Sequence, residues 1–192
     1  DHIVCESPRF ELKYPSVMRD PLMNALFQDE KAMLPSLPFF LSMTESELTA
    51  RRERHRLEFG KTSLFLDLVH KETGELVGSG GFREIFVSDT DAAEGRRAEW
   101  GCVITPVWQK KGVCAETYAA AIKYVVEEFQ VQIITASTTS EVMKGFLSRR
   151  GFTVRNSARK DESTGLVWTD LELSVKGGEG GEGGGVGGGK NK

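Results

Sequence analysis

The sequence predicts an α+β domain. Strand-like and helical segments follow one another without regular alternation, in the order β-α-α-β-β-β-α-β-α-β-β. Two apolar runs flank Lys71-Glu72-Thr73-Gly74 as a β-hairpin would. Tyr118, Ile122, Val125, Val126 and Phe129 form one apolar stripe at helical spacing directly after a strand-like segment.

The elements follow in order. "RFELKY" (Arg9 to Tyr14) alternates apolar and polar residues as a half-buried strand, and Pro15 stops it. "VMRDPLMNALFQDE" has helical spacing, with Pro21 suited to a first turn. After a loop holding Pro35 and Pro38, "TESELTARRERHRLEFG" opens on a capping-box pair, Thr44 and Glu47, and Gly60 marks its end. Its Arg/Glu-rich middle, with His55, reads as a solvated face. In the hairpin's second arm, Gly78, Gly80 and Gly81 indicate a bulge or a close backbone approach. "SDTDAAEGRRA" is a polar loop, and "EWGCVIT" (Glu99 to Thr105) is a strand ended by Pro106. "VQIITAST" is a buried strand by its β-branched content. A short helix follows, with Val142, Met143, Phe146 and Leu147 facing inward, Gly151 at its C′ position and Phe152 making the contact beyond it. "FTVRNSA" and "LVWTDLELSV" close the chain as two strands around the turn "DESTG".

The 192 residues suffice for one domain, placed at 1–176. Residues 177–192 contain ten glycines and a single valine, too little apolar surface to offset ordering entropy, so a disordered tail is expected there. A net charge of −3 and a pI near 5.7 argue against a nucleic-acid binder. No apolar run approaches a membrane span. Cys5, Cys102 and Cys114 are scattered and form no C-x-x-C, so neither zinc site nor disulfide framework is indicated. Small buried thiols in a reducing compartment are expected, and with no leader pattern in "DHIVCESPRF" the expectation is cytoplasmic.

The chemistry concentrates in "PVWQKKGVCAET", Pro106 to Thr117. Two lysines and a glycine precede a helix start, where unpaired N–H groups already favour an anion. Gly112 lets a phosphate approach the backbone without Cβ interference.

This stretch, with "EWGCVIT" before it and "SRRGF" later, resembles the GNAT superfamily of acyl-CoA N-acyltransferases. The family's pyrophosphate signature, Gln/Arg-x-x-Gly-x-Gly/Ala, reads here Gln109-Lys110-Lys111-Gly112-Val113-Cys114, and its Gly-Phe pair ending the fourth helix reads Gly151-Phe152. The similarity is clearest from Ala98 to Val154, and "GELVGSGGF" and "AEWG…TP" look most like the branch that acetylates ribosomal-protein N-termini and related small amines.

The resemblance implies a mixed, largely antiparallel twisted sheet flanked by helices. It implies acetyl-CoA as cosubstrate, no metal, an amine acceptor, and a monomer or homodimer. Backbone groups of Cys102, Val103 and Ile104 would face the pantetheine arm and acyl carbonyl. Gln109, Lys110, Lys111, Gly112, Val113, Cys114 and Ala115 would form the pyrophosphate turn, with Cys114 as a small filler. Ser140 stands where the family often has a CoA-contacting asparagine cap. Glu99 is the candidate base, the other reading being a strand-edge glutamate in solvent; His70 is a weaker candidate, and His2 and His55 read as bland.

The sequence departs from the family at the acid that protonates the leaving thiolate. The usual tyrosine position holds Leu147 and the serine of the ribosomal-protein branch is Met143, leaving Ser148, Tyr118 or water as substitutes. A thiolate needs less help than an alkoxide, so the loss does not rule out catalysis. A domain that binds CoA or a partner without turnover is the alternative. Trp100, Trp108 and Trp168 read as core or as pocket lining, and Leu34 to Thr44 and Ser88 to Arg97 are expected to shape the acceptor pocket.

Overall fold

The computed structural model describes residues 2–85 and 95–175. Along the chain run β1 (Ile3–Glu6), β2 (Phe10–Lys13), α1 (Asp20–Phe27), α2 (Glu30–Met33), α3 (Glu45–Glu58), β3 (Ser63–His70) and β4 (Leu76–Arg83). After residues 86–94 come β5 (Arg96–Ile104), α4 (Val113–Phe129), β6 (Val131–Thr138), α5 (Glu141–Ser148), β7 (Thr153–Lys160) and β8 (Val167–Ser174). The strands form one sheet in the order β1-β2-β3-β4-β5-β6-β8-β7. Every described pair is antiparallel except β5 with β6. That parallel pair requires a crossover, which α4 supplies.

Strand alternation divides the core in two. Leu64, Leu66 and Leu68 of β3 join Phe82, Ala98 and Trp100 beneath α4, whose predicted stripe packs there. On the other face Val69 joins Met23, Leu26, Phe27, Phe40 and Leu48 from α1, α3 and their connection. The capping box at α3 forms as the spacing predicts: Thr44 Oγ1 accepts from the Glu47 amide, and Glu47 accepts from the Thr44 amide at 2.7 Å.

The charged middle of α3 is only partly a solvated face: Glu53 and Arg54 are exposed, but Arg52 and His55 are buried. Arg52 is 1% exposed. Its guanidinium donates to Asp67 Oδ1 at 2.7 Å and to Asp20 Oδ1 at 2.8 Å, joining β3 to α1, while Arg19 holds Asp67 Oδ2 at 2.8 Å. A buried carboxylate inside an apolar strand demands such partners. His55, also read as bland, is buried and stacked on Phe65 with centroids 4.5 Å apart.

Three further corrections concern boundaries and facing. β1 adds an edge strand absent from the sequence reading; it is largely exposed and short, so it carries no strong period. Val142 points outward at 82% exposure, while Leu147 is fully buried and Met143 and Phe146 pack on the core. β5 begins at Arg96, inside the segment read as a polar loop. Most of that loop and the glycine-rich tail lie outside the described residues.

The packing of His55 sets a pH dependence. Burial, then the charges of Arg51, Arg52, Arg54 and Arg56, push its pKa from 6.5 down to about 3. The folded state therefore holds the neutral ring, and the unfolded chain binds the extra proton below pH 6.5. Stability is expected to fall as pH drops from 6.5 toward 3, and His55→Phe should flatten this part of the curve in urea titrations at stepped pH.

Candidate functional site

Strands β5 and β6 pair only from Arg96 to Glu99, opposite Val131 to Thr135. Beyond that point β5 stays with β4 through Ile104, and β6 stays with β8 through Thr138. Residues 100–104 of β5 thus lack a strand neighbour on the β6 side, where their backbone groups line a cleft. Cys102 and Ile104 pack toward the α4 core and Val103 toward the opposite one, while an added Cβ at Gly101 would meet nothing within 4 Å.

A short turn leads from this strand to α4. Gln109 Nε2 donates to the Ile104 carbonyl at 3.1 Å, so this side chain closes the turn. Lys110 takes φ 61° and Gly112 φ 79°, ψ 0°, the latter as N-cap of α4 with no side chain capping it. The first helical bond runs from the Glu116 amide to the Gly112 carbonyl at 3.1 Å. The N–H groups of Val113, Cys114 and Ala115 are therefore free of intrahelical partners. Val113 packs its side chain into the core, so only its backbone is available to a ligand.

The structure adds Arg9, which sequence reasoning missed. It lies on the connection between β1 and β2 and reaches the Lys111 carbonyl with Nη2 at 3.0 Å. The same atom would stand 3.4 Å from a Cβ on Gly112. Arg9 Nε donates to Glu116 Oε2 at 2.8 Å, and Ser7 Oγ and the Arg9 amide donate to Oε1. Burial opposes ionisation of Glu116, but these donors hold its carboxyl below the ordinary range. More than a hundred residues separate Arg9 from Lys111 in sequence, and no local pattern links them.

The neighbouring candidates have structural duties. Lys111 Nζ lies 5.0 Å from the Trp108 ring centroid. Trp108 meets Phe10 edge-on and packs against His70, whose Nδ1 is 3.0 Å from Thr73 Oγ1 in the hairpin turn. Trp100 packs in the core against Tyr118, and Trp168 buries an indole Nε1 without a partner. Ser140 caps α5, accepting from the Met143 amide at 3.3 Å. Tyr118 is buried, and that burial raises its pKa to about 12 against the pull of Arg150.

Glu99, the last β5 residue paired with β6, sits at the apex of the cleft. Both its oxygens are held by Arg83, at 2.8 and 2.5 Å, and its side chain is 16% exposed.

The cysteines are not all scattered in space: Cys102 Sγ and Cys114 Sγ lie 3.4 Å apart across the cleft wall. The contact with Cys114, then burial, raises the Cys102 thiol well above its usual range. Iodoacetamide at pH 8 should therefore alkylate Cys102 at least tenfold more slowly than a free model thiol. Peptide mass mapping over time checks this, and equal rates would contradict the buried pair.

A family model described as an acetyltransferase (GNAT) domain matches residues 9–143. No curated protein sequence matches the chain. Among solved structures, the RimL ribosomal L7/L12 alpha-N-protein acetyltransferase in complex with coenzyme A superposes with TM-score 0.75 at 14% identity, covering 91% of this chain and 98% of that one. A GNAT-family acetyltransferase from Bacillus anthracis gives 0.70 at 18% identity, covering 89% and 96%. The Microcin C7 self-immunity acetyltransferase MccE, in complex with acetyl-CoA and AMP, gives 0.70 at 14% identity, covering 88% and 93%. Identities this low carry the fold alone.

Proposed function

Because the chain belongs to the GNAT acetyltransferase family, we propose that it is an acetyl-CoA-dependent N-acetyltransferase acting on a primary amine, either a protein N-terminus or a small-molecule amine. The observation that carries this reading is the parting of β5 from β6 directly above an uncapped helix N-terminus. A strand with free backbone groups leads into a turn of free N–H groups, an arrangement suited to an extended acyl carrier ending in a pyrophosphate. The residues fit that group: Gly112 leaves its approach open to all but Arg9, and Lys110, Lys111 and Arg9 surround the turn with positive charge.

The chain's residues then divide the work. Amides of Val113, Cys114 and Ala115 bind the diphosphate, with Ser140 at the neighbouring helix cap. Backbone groups at Cys102, Val103 and Ile104 orient the arm and polarise the acyl carbonyl. Glu99 takes a proton from the bound ammonium, directly or through water, and the neutral amine then attacks the thioester carbonyl, forming the C–N bond as the C–S bond breaks. In this direct attack both substrates are bound together, and the thiolate leaves without a dedicated acid. MccE and RimL are similar in fold, and their solved complexes with acetyl-CoA or coenzyme A support the choice of cosubstrate.

A second reading, CoA binding without turnover, is favoured by one feature. Leu147 is fully buried at the position of the family's tyrosine, so no acid fills that place. Turnover separates the two readings.

Acetyl-CoA should raise the melting temperature, and Gly112→Glu should abolish the shift by forcing a carboxylate and a strained φ of 79° into the anion turn. No shift at millimolar acetyl-CoA would refute the reading. Glu99→Gln should lower kcat about 100-fold, the scale of a lost general base, while the acetyl-CoA shift persists. A thiol-release assay across N-terminal peptides, polyamines and aminoglycosides measures it, and background release across the panel favours the binding-only reading.

A further inference from the structure

A cavity of about 470 Å³ opens on the α3 face of the sheet beside Arg83, the partner of Glu99, and part of its polar lining has no described partner. Arg51 lies over three rings, 5.2 Å from the Phe27 centroid, 4.8 Å from Phe40 and 5.7 Å from Phe65. Its guanidinium makes no hydrogen bond or ion pair with any described residue. Ser63 is 4% exposed, lines the cavity, and its Oγ has no partner. His55 lines the same wall and makes no hydrogen bond to a described residue. Buried polar groups are ordinarily satisfied, and Ser63 Oγ stands out against that rule, while the half-buried Arg51 guanidinium, packed over rings, has donors to spare for the same cavity.

The sign of the local field says what would satisfy them. Burial lowers the pKa of Arg51 to about 10, and every charge that adds to this effect is an arginine: Arg54, Arg52 and Arg83. Glu58 and Glu84 also border the cavity, but neither pairs with Arg51 or Arg54, and Glu84 is exposed. The groups without a described partner all donate or can donate, and the three arginines of the lining, Arg51, Arg54 and Arg83, outnumber Glu58 and Glu84. A carboxylate or phosphate matches them; an ammonium does not.

Position ties the cavity to the reaction. Ser63 pairs across the sheet with Arg83, and Arg83 with Glu99, so the three side chains share one face. Two strand spacings separate Ser63 from Glu99, roughly 10 Å. Arg83 borders the cavity and grips Glu99 with the same guanidinium. An extended peptide whose N-terminal amine sits at Glu99 covers about 7 Å to its third residue, whose side chain then reaches the cavity.

We infer that this cavity is an acceptor subsite for an anionic group, so that the preferred acceptor is an amine bearing a carboxylate or phosphate roughly 10 Å from its nitrogen. Arg51 binds the anion with its planar fork, Ser63 donates a further bond, and the aromatic rings hold the fork in place. The inference rests on the N-acetyltransferase reading for its kinetic test but has a binding test of its own.

The kinetic test compares peptides beginning Ser-Ala-Gln, Ser-Ala-Glu and Ser-Ala-phosphoserine in the thiol-release assay. The Glu or phosphoserine peptide should exceed the Gln peptide about tenfold in kcat/KM, mostly through KM, the factor expected for hydrogen bonds to a charged group. Which anionic peptide leads distinguishes carboxylate from phosphate. Arg51→Met, with its fold checked by circular dichroism, should bring the ratio to about one. Should that variant not fold, Ser63→Ala should reduce the ratio about threefold. Equal rates for all three peptides with the unaltered protein overturn the subsite.

If no peptide is acetylated, the activity reading fails, and a second measurement decides the cavity alone. Inorganic phosphate titrated into the protein should shift the arginine side-chain NMR signals of Arg51, with loss of the response in Arg51→Lys, which keeps the charge but not the fork. No Arg51-dependent shift overturns the inference independently of catalysis.

Discussion

The parting of β5 from β6 after Glu99 is the constraint on which the molecule depends. Two neighbouring strands on each side compete for the centre of the sheet, and the outer pairings win. β4 can hold β5 closely because its glycines present no side chain. A Cβ on Gly78 would fall 2.2 Å from the Val103 carbonyl oxygen, and one on Gly81, at φ 143°, would fall 1.9 Å from that of Leu64. Gly78 and Gly81 thus stand where the backbones of β5 and β3 leave no room for a Cβ, and β5 stays with β4 past the point where it leaves β6. Because β5 and β6 are parallel, the chain between them must cross through a helix. That helix starts where the strands separate, so the cleft and the uncapped turn proposed to bind an anion are two results of one topology.

Net charge conceals the electrostatics of the site. The chain carries −3 overall, yet the α4 turn gathers Lys110, Lys111 and Arg9, and the α3 face gathers Arg51, Arg54 and Arg83. Arg52 is matched by Asp20 and Asp67 and serves the packing of α1 and α3 on β3. Arg51, its neighbour in sequence, meets rings instead of carboxylates. One side chain of this pair is consumed by ion pairs within the fold, and the other packs on rings with no carboxylate among the described residues. Composition cannot make that distinction; only the partner list does.

Signals confined to a few residues were legible in the sequence. Thr44 and Glu47, the Gly112 turn, the α4 stripe and the Gly151 stop each depend on backbone geometry within one or two turns, and each appears where it was read. What escaped depends on contacts between distant segments. Arg9 meets Lys111 only after β1 and β2 lie beside α4, and Cys102 meets Cys114 only after α4 folds back on β5. The burial of Arg52 was hidden because helical periodicity treats charge as a mark of solvent. The lone Asp67 within "SLFLDLVH" was the available clue, since a carboxylate in a buried strand requires a cation from elsewhere. Val142 shows the reverse error: an apolar residue at a core-like spacing on a helix too short for its stripe to be decisive.

Arg83 connects the two halves of the proposed reaction. Its fork occupies both oxygens of Glu99. The same guanidinium borders the cavity where an anionic group would sit. An acceptor anion there competes with Glu99 for donors that cannot satisfy both fully, since each N–H aims along one direction. In the proposed reaction, docking of such an acceptor would return carboxylate oxygens to the amine that needs one. The absence of an acid at Leu147 then matters less, because the proton to be managed early is the ammonium's, and the thiolate departs as a comparatively weak base. A site of this kind spends its polar side chains on the acceptor and leaves the acyl donor to the backbone, which matches how the chain distributes them: glycine and free amides along β5 and α4, and unpaired arginine, serine and histidine on the face beyond.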